Sequence, residues 1–267
     1  MSYLSQTSPL TPVEAPDPFF WGENIPYKLA LSRLATVHDL RKASQIEDQF
    51  FYLTHEPVIT YGRATTASHL SMRPHHIPTI EVPRGGLATY HGPGQLIGYI
   101  VLDLTQRARN QRPDIHAYLR AIEDGLISFL QSEFHLPATR RQDCTGVWTT
   151  GFPPQRHRGK EEKNTELLST MPRKLASIGV SARKWITSHG FALNLHPDMD
   201  AFKCIVPCGI TDAEMTSVEQ EHVRAGRSYR HAQMHEVAER VHMHIIAALQ
   251  QHGWCLTDDS ASGQVSV

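Results

Sequence analysis

Residues 84–95 constrain the fold more than any other stretch of the sequence. They read Arg-Gly-Gly-Leu-Ala-Thr-Tyr-His-Gly-Pro-Gly-Gln and hold four of the 17 glycines. Glycine has no Cβ, so the backbone can take positive φ angles and other groups can approach it closely. The apolar run 97–104 follows directly and predicts a strand. A plain hairpin needs only about two to five loop residues. We therefore interpret the stretch as the wall of a ligand cleft rather than as a surface turn.

Length and composition fit one large intracellular domain. The chain has 267 residues, is 40% hydrophobic and carries a formal net charge of -1, which argues for neither nucleic-acid nor membrane binding. No apolar run approaches the roughly 20 residues of a membrane span, and residues 1–20 lack a secretory or transit signal. We expect a cytoplasmic protein, or a mitochondrial one if the source is eukaryotic. Four scattered cysteines suit a reducing compartment: Cys144, Cys204, Cys208 and Cys255.

The domain organisation follows from composition. Residues 1–20 are rich in Ser, Thr and Pro and predict a flexible leader, and 258–267 predict a flexible tail. Between them we expect a single catalytic domain over 21–257. Residues 152–170 are charged and contain two prolines, which predicts an exposed insertion in that domain.

The periodicity of apolar residues predicts a mixture of helices and strands. Helices are expected over 115–129, between two prolines, and over 234–251, where Gly253 ends the helix. Residues 25–46 have weak helical spacing that continues through 40–50. Strands are expected at 51–54, 58–61, 97–104, 145–149, 175–185 and 191–195. Strict alternation is absent, which favours an α/β or α+β mixed fold over a doubly wound sheet.

Cys208 is the first candidate for chemistry. It lies between Pro207 and Gly209, a corner that can present a side chain. A free thiol has a pKa of ~8.5, so a nucleophilic cysteine needs a nearby cation or base. Lys174, His91 and His189 could supply one. Taken alone, a free cysteine is more often a small buried side chain.

A zinc site is a weaker interpretation of the same region. Cys204 and Cys208 have a permitted spacing, and His189 or His196 could complete the set. Zinc sites usually show a second close ligand pair, which is missing here. His242 and His244 lie on different faces of the last predicted helix. We therefore expect no metal.

Five motifs in order resemble the octanoyltransferases of lipoate synthesis, over about residues 51–210. They are His55-Glu56-Pro57-Val58 with Tyr61-Gly62-Arg63, the stretch 84–95, Lys174-x-Ala176-Ser177-Ile178-Gly179, His189-Gly190-Phe191-Ala192-Leu193-Asn194, and Pro207-Cys208-Gly209. The stretch 84–95 is the most specific of them. Two departures are visible: a long charged insertion before Lys174, and Ala88 where a larger apolar residue is usual.

The resemblance implies transfer of an octanoyl group from octanoyl-acyl carrier protein to a lysine of a lipoyl domain. Cys208 would be the nucleophile that forms an acyl thioester, and Lys174 would be its partner, favouring the thiolate and later accepting a proton. A thioester donor is already activated, so no cofactor is needed. The implied acceptors are the lipoyl domains of 2-oxoacid dehydrogenase complexes and the glycine cleavage H protein. We expect a monomer that binds neither nucleic acid nor membrane.

The resemblance also implies the pocket and the fold. The implied fold is that of the biotin and lipoate protein ligases, with a mixed main sheet, a smaller sheet and flanking helices. Leu87, Tyr90 and Ile178 would wall an apolar tunnel, and backbone amides would bind the oxyanion. The substrate-binding positions are Arg84, Gly85, Gly86, Leu87, Ala88, Thr89, Tyr90, His91, Ser177, Ile178, Gly179, Gly190, Phe191 and Ala192.

Other functions remain as alternatives. An ATP-dependent lipoate or biotin ligase shares the glycine loop and a lysine like Lys174, but it needs no nucleophilic cysteine. A catalytically silent lipoyl-domain binding protein and a structural zinc protein are the others. Basic residues could steer acidic protein substrates: Arg140, Arg141, Arg156, Arg158, Arg183 and Lys184.

Overall fold

A mixed β-sheet with helices on both faces forms the centre of the molecule. The computed structural model describes residues 19–62, 65, 76–82, 87–107, 112–142, 144–152, 171–203 and 213–256. The strands are β1 Phe20–Ile25, β2 Gln49–His55, β3 Val58–Tyr61, β4 Thr79–Glu81, β5 Thr89–His91, β6 Gln95–Val101, β7 Val147–Thr149, β8 Arg173–Arg183, β9 Ile186–Asn194 and β10 Glu214–Met215. The helices are α1 Tyr27–Lys42, α2 Ile115–Phe134, α3 Asp200–Lys203, α4 Val218–Arg224 and α5 Met234–Gln251.

Among the described strands, seven pair into the main sheet and three into a smaller one. The main sheet has the order β1-β2-β6-β9-β8-β10, and β7 also pairs with β8. The β1–β2 and β8–β10 pairs are parallel, whereas β2–β6, β6–β9, β9–β8 and β7–β8 are antiparallel. The smaller sheet has the order β4-β3-β5. This architecture confirms the predicted mixed fold with a second, smaller sheet.

The central strand β6 is buried along its whole length. Leu96 and Ile100 pack in the main core with α2 and α5. Ile97, Tyr99 and Val101 pack on the opposite face, in the cluster that contains residues of α1. Side chains of a strand alternate between faces, so β6 contributes to two separate cores.

The two long predicted helices are confirmed. Helix α2 begins after Asp114, whose carboxylate accepts hydrogen bonds from the backbone N–H groups of His116 and Ala117. It ends at His135, which has a left-handed backbone with φ 51°. Helix α5 has the predicted bounds, and Gly253 follows it with φ 97°. Within the described residues, no helix is long and apolar enough to cross a membrane.

Several predicted boundaries are wrong. Helical spacing does not continue to residue 50, because α1 ends at Lys42 and β2 begins at Gln49. The predicted leader overlaps β1, since Phe20 pairs with Tyr52. The strand expected at 97–104 occupies Gln95–Val101. Most of the insertion, the tail 258–267 and the apolar run around Cys208 lie outside the described residues.

Candidate active site

The described part of the glycine stretch connects the two sheets. Strand β5 belongs to the smaller sheet and β6 to the main sheet, with residues 92–94 between them. A Cβ at Gly92 would lie 2.2 Å from the Tyr90 hydroxyl. Gly94 has φ 81°, and its carbonyl accepts from the N–H groups of Leu195 and His196. These glycines are therefore required by close approach and by backbone conformation.

Ala88 and Tyr90 are buried beneath this loop. Both pack with Ile59 and Phe202, and the rings of Tyr90 and Phe202 meet edge-on with centroids 5.4 Å apart. Ile178 packs against the main core instead. The described contacts thus place two predicted tunnel walls, Tyr90 and Ile178, in different clusters. Leu87 is half-buried and Thr89 is buried.

A buried chain of hydrogen bonds connects the loop with β9. His91 Nδ1 lies 2.7 Å from Gln95 Oε1. Gln95 Nε2 donates to Tyr90 O at 3.3 Å and to Asn194 Oδ1 at 2.8 Å. Asn194 Nδ2 donates to Thr216 O at 2.9 Å. His91 belongs to the predicted pocket, whereas the roles of Gln95 and Asn194 were not predicted, although both lie within the recognised motifs.

A buried histidine, His55, lies beside the half-buried His91. His55 Nδ1 donates to the backbone oxygen of Ile25 at 2.9 Å, so Nε2 accepts from the Tyr99 hydroxyl at 2.8 Å. Burial lowers the pKa of His55 to about 4. The His55 and His91 ring centroids are 5.9 Å apart, and Tyr27 stacks on His91 at 6.0 Å. His55 is therefore a neutral neighbour of His91 at physiological pH.

Lys174, near the start of β8, is buried. Only 2% of the residue's surface is exposed. Its strand pairs with β7 at Trp148 and with β10 at Met215. Lys174 Nζ lies 3.8 Å from Cys144 Sγ and 4.9 Å from the centroid of the Trp148 ring. A cation above an indole face is electrostatically favoured. These surroundings favour a specific role for Lys174 over that of a solvated lysine at the start of a strand.

A β-bulge directs this lysine. Val147 pairs with Ala176, whereas the next residue, Trp148, pairs with Lys174. Leu175 is therefore the extra residue on β8. Such bulges re-aim side chains and are frequent beside active sites.

The turn before β7 closes around the lysine. Gly146 has φ 137°, and its N–H donates at 2.9 Å to Glu123 Oε1. Glu123 is fully buried and pairs with Arg120 at 2.5 Å. Trp148 Nε1 donates to the Cys144 carbonyl. The sequence predicted only a strand here, and a glycine directly before an apolar strand was the available signal.

Small residues from β8 and β9 cover one face of the sheet. Ser177 pairs with Ala192 and Gly179 pairs with Gly190. Ala192 packs in the α1-side cluster, and residues directly opposite one another share a face. A Cβ at Gly190 would lie 2.1 Å from Gly98 O on β6. Gly190 is therefore required by the close approach of two strands, apart from any contact with substrate.

The side chains of Ile178 and Phe191 lie on the opposite face. Ile178 pairs with Phe191, and both pack with the main core. A Cβ at Gly98 would lie 2.4 Å from the Phe191 ring. At these two predicted positions, only backbone groups can face the small-residue surface.

The structure describes only some of the remaining predicted residues. Cys208, Arg84, Gly85 and Gly86 lie outside the described residues. His189 is buried with φ 66°, and its ring centroid is 6.1 Å from that of Tyr99. Within the described ranges, no group of three or more His, Cys, Asp or Glu could hold a metal ion.

Of the six basic residues predicted to steer acidic protein substrates, two contact other side chains, two are exposed and two lie outside the described residues. Arg140 forms an ion pair with Asp124, and the Arg141 guanidinium lies over the Trp148 ring at 5.0 Å. Arg183, the last residue of β8, and Lys184, in the turn that follows it, are exposed. Arg156 and Arg158 lie outside the described residues.

Comparison with known proteins places this geometry in a family. The family described as the lipoyl protein ligase A/B catalytic domain matches residues 26–250. The chain belongs to this family. It is 39% identical over 203 residues to an octanoyltransferase of Koribacter versatilis, covering 74% of this chain and 72% of that protein. It is 42% identical over 164 residues to an octanoyltransferase of Gloeobacter violaceus, covering 61% of this chain and 62% of that one.

The fold comparison agrees with the family assignment. A bipartite lipoate protein ligase from Thermoplasma acidophilum superposes with a TM-score of 0.56, covering 87% of this chain and 83% of that one. Its sequence identity is 13%, so this likeness concerns the fold. The predicted resemblance to the octanoyltransferases, the acyltransferase class and the lipoate-ligase-like fold are confirmed.

Proposed function

We propose that this member of the lipoyl protein ligase A/B family transfers an octanoyl group from octanoyl-acyl carrier protein to a lysine of a lipoyl domain. The transfer proceeds through a thioester on Cys208. Lys174 carries the proposal: it is an ammonium group buried on β8, in contact with a thiol and an indole ring. Its sequence motif is that of the octanoyltransferases, to which the chain is 39% identical in one case.

The first half-reaction acylates the enzyme. The Cys208 thiolate attacks the carbonyl carbon of the donor thioester, a new C–S bond forms, and the carrier's thiolate leaves and takes up a proton. An ammonium beside a thiol favours the thiolate form, which is the role assigned to Lys174. The proposed oxyanion donors are backbone N–H groups at Ser177–Gly179, on the side of β8 that lies beyond its pairing with β7. Strand β9 is paired on both sides at Gly190–Ala192, so the N–H groups there belong to the sheet ladder.

The second half-reaction deacylates it. The acceptor lysine amine attacks the acyl carbon, the amide C–N bond forms, and the Cys208 thiolate leaves. Lys174, having given up its proton, accepts one from the attacking amine. Splitting the transfer in this way replaces one difficult step by two easier ones. Because the donor is a thioester, the reaction needs no ATP.

The described surface suggests where the acyl chain lies. Ser177, Gly179, Gly190 and Ala192 bring almost no side-chain bulk to their face of the sheet. An eight-carbon chain needs an apolar groove of this kind. Arg183 and Lys184 lie at one end of the same strands and are exposed, where they suit an acidic carrier or lipoyl domain.

The partners follow from the activity. The donor is octanoyl-acyl carrier protein, and the acceptors are lipoyl domains of 2-oxoacid dehydrogenase complexes and the glycine cleavage H protein. The enzyme acts as a monomer, in the cytoplasm of a bacterial source.

Intact mass spectrometry after mixing with octanoyl-acyl carrier protein tests the intermediate. Wild-type protein gains one octanoyl mass that hydroxylamine removes, and Cys208→Ala gains none. Cys144→Ala is the matched control, because Cys144 Sγ is the described thiol beside Lys174, and it keeps the adduct.

Two results would redirect the proposal. An adduct that persists in Cys208→Ala and disappears in Cys144→Ala moves the nucleophile to Cys144. No adduct in wild-type protein, together with AMP formation from ATP and lipoate, replaces the transferase by a ligase.

A further inference from the structure

The hydrogen bonds that link His91, Gln95, Asn194 and Thr216 fix which groups donate and which accept. Backbone oxygens only accept hydrogen bonds. The group of Asn194 that lies 2.9 Å from Thr216 O is therefore its NH2, and the amide oxygen of Asn194 accepts from Gln95. The Gln95 NH2 group is fixed independently, because it also donates to Tyr90 O.

This orientation determines the tautomer of His91. With its NH2 group directed at Tyr90 and Asn194, Gln95 presents its amide oxygen to His91 Nδ1 at 2.7 Å. An amide oxygen is an acceptor, so His91 Nδ1 carries a proton. In the neutral ring Nε2 then accepts, and it lies 3.3 Å from the Thr60 hydroxyl, which donates.

The far end of the chain reaches the strand that carries Lys174. Thr216 N donates to the Lys174 carbonyl at 3.0 Å. The Thr216 hydroxyl donates at 2.7 Å to Glu221, whose carboxylate binds Arg173 through two hydrogen bonds of 2.7 Å. Gln95, Asn194 and Thr216 are each at most 1% exposed. The chain therefore joins the His91 loop to the start of β8 without passing through solvent.

We propose that Gln95 and Asn194 are positioning residues that hold His91 as the neutral Nδ1–H tautomer and fix its place relative to Lys174. This inference rests on the proposed octanoyl transfer, in which His91 forms part of the pocket. Its function there is that of an acceptor at Nε2, which an imidazolium cannot be. The pair acts through His91 and needs no contact with substrate.

The neighbours of His91 that the structure describes suit a neutral ring. On α1 it stacks on Tyr27, on β2 it faces His55, on β3 it meets Thr60, and on β6 it meets Gln95. The titratable groups among these contacts are Tyr27 and His55. His55 stays neutral, and a carboxylate placed at residue 95 would favour the protonated form of His91.

The wild-type protein alone tests the tautomer. Long-range 1H–15N NMR of protein labelled on histidine nitrogens distinguishes protonated from unprotonated ring nitrogens, with His91 assigned through His91→Gln. We expect a protonated Nδ1 and an unprotonated Nε2 at pH 7.5. His55, whose Nδ1 donates to Ile25 O and whose pKa is lowered to about 4 by burial, gives the same pattern as an internal standard. A proton on Nε2 of neutral His91 overturns the proposal whether or not the enzyme transfers octanoyl groups.

Gln95→Glu tests the positioning role. The carboxylate keeps the acceptor for Nδ1, removes the donor to Asn194 and stabilises the doubly protonated ring. We expect the acidic limb of the pH profile of octanoyl transfer to move up by about one pH unit or more, together with the His91 signals. Gln131→Glu is the matched control, because it also removes a donor to a backbone oxygen, that of Ala138, and it leaves both unchanged. If the His91 signals move and the pH profile of octanoyl transfer does not, Gln95 and Asn194 have only a structural role.

Discussion

A Cβ at residue 146 would lie 2.6 Å from Cε of Lys174. It would also lie 2.6 Å from the carbonyl oxygen of Ala176 and 3.2 Å from Lys174 Nζ. Non-bonded carbon atoms rest about 3.5–4.0 Å apart, so the absence of a side chain at Gly146 creates the space that the lysine occupies. The turn before β7 therefore determines the position of a group on β8.

Gly146→Ala is expected to lower octanoyl transfer more than tenfold, because Lys174 must leave its place. Its φ of 137° adds strain for a residue with a Cβ, on the order of 1–3 kcal/mol. Gly226→Ala is the matched control: its φ is also positive, at 65°, but no atom lies within 4 Å of the added Cβ. Urea unfolding and transfer rates are compared, and equal losses of activity in both variants would contradict the steric explanation.

Ser177→Ala should increase stability. The Ser177 hydroxyl is buried and has no hydrogen-bond partner among the described residues, and an unpaired buried polar group costs about 1–3 kcal/mol. We expect the free energy of unfolding in urea to rise by about 1 kcal/mol, whereas Ser181→Ala on the same strand changes it by less than about 0.5 kcal/mol. A stable variant that has lost transfer activity would instead assign the hydroxyl to substrate binding.

His55 should make the fold sensitive to mild acid. Burial lowers its pKa from 6.5 to about 4, so the unfolded chain binds a proton that the folded chain does not. Stability is complete above about pH 6.5 and falls by up to about 3 kcal/mol as the pH drops towards 4. Unfolding free energies at pH 7 and pH 5 should differ less in His55→Asn than in wild type. The exposed His235→Asn is the control and should keep the wild-type difference.

Glu221 should add a second acid-sensitive contribution at lower pH. Burial raises its pKa, but hydrogen bonds from Arg173 and Thr216 outweigh burial and hold the pKa below its ordinary value of 4.5. The stabilisation is therefore present above about pH 4.5 and is lost as the pH falls through the lower, folded-state pKa. Glu221→Gln should lower the free energy of unfolding at pH 7 by about 3 kcal/mol, as expected when a buried pair loses one charge. It should also make the free energy of unfolding depend less on pH below about pH 4.5. Glu214→Gln, in an exposed pair with Arg224, should do neither.

The sequence predicted those elements whose signals are local. Helix α5 was predicted with its observed bounds because Val237, Val241, Ile245 and Leu249 repeat at helical spacing and Gly253 follows. The wrong boundary near residue 50 arose because Leu40 and Ile46 continue the weak helical spacing of α1, whereas Phe50 and Phe51 gain more by pairing with β6. Strand β10 pairs over two residues and has no period to detect.

The site was predicted only as a set of motifs. Lys174 and His91 were found by resemblance; the structure shows that Lys174 is buried and that His91 is half-buried. The sequence could not reveal that Cys144 and Gly146 enclose the lysine, because a single bulge at Leu175 determines that contact. Strand alternation puts Ser177 and Ile178 on opposite faces, but the sequence could not show which face each occupies, because that depends on their pairing with Ala192 and Phe191.

The strand order has a consequence for synthesis on the ribosome. Strand β6 receives one neighbour, β2, from residues already made, but its other neighbour, β9, begins at residue 186. For the time it takes to translate more than eighty further residues, a strand that is buried along its whole length in the native fold has one open edge, which is a template for pairing with other chains. The nascent enzyme should therefore depend on chaperones most while helix α2 and strands β7 and β8 are emerging.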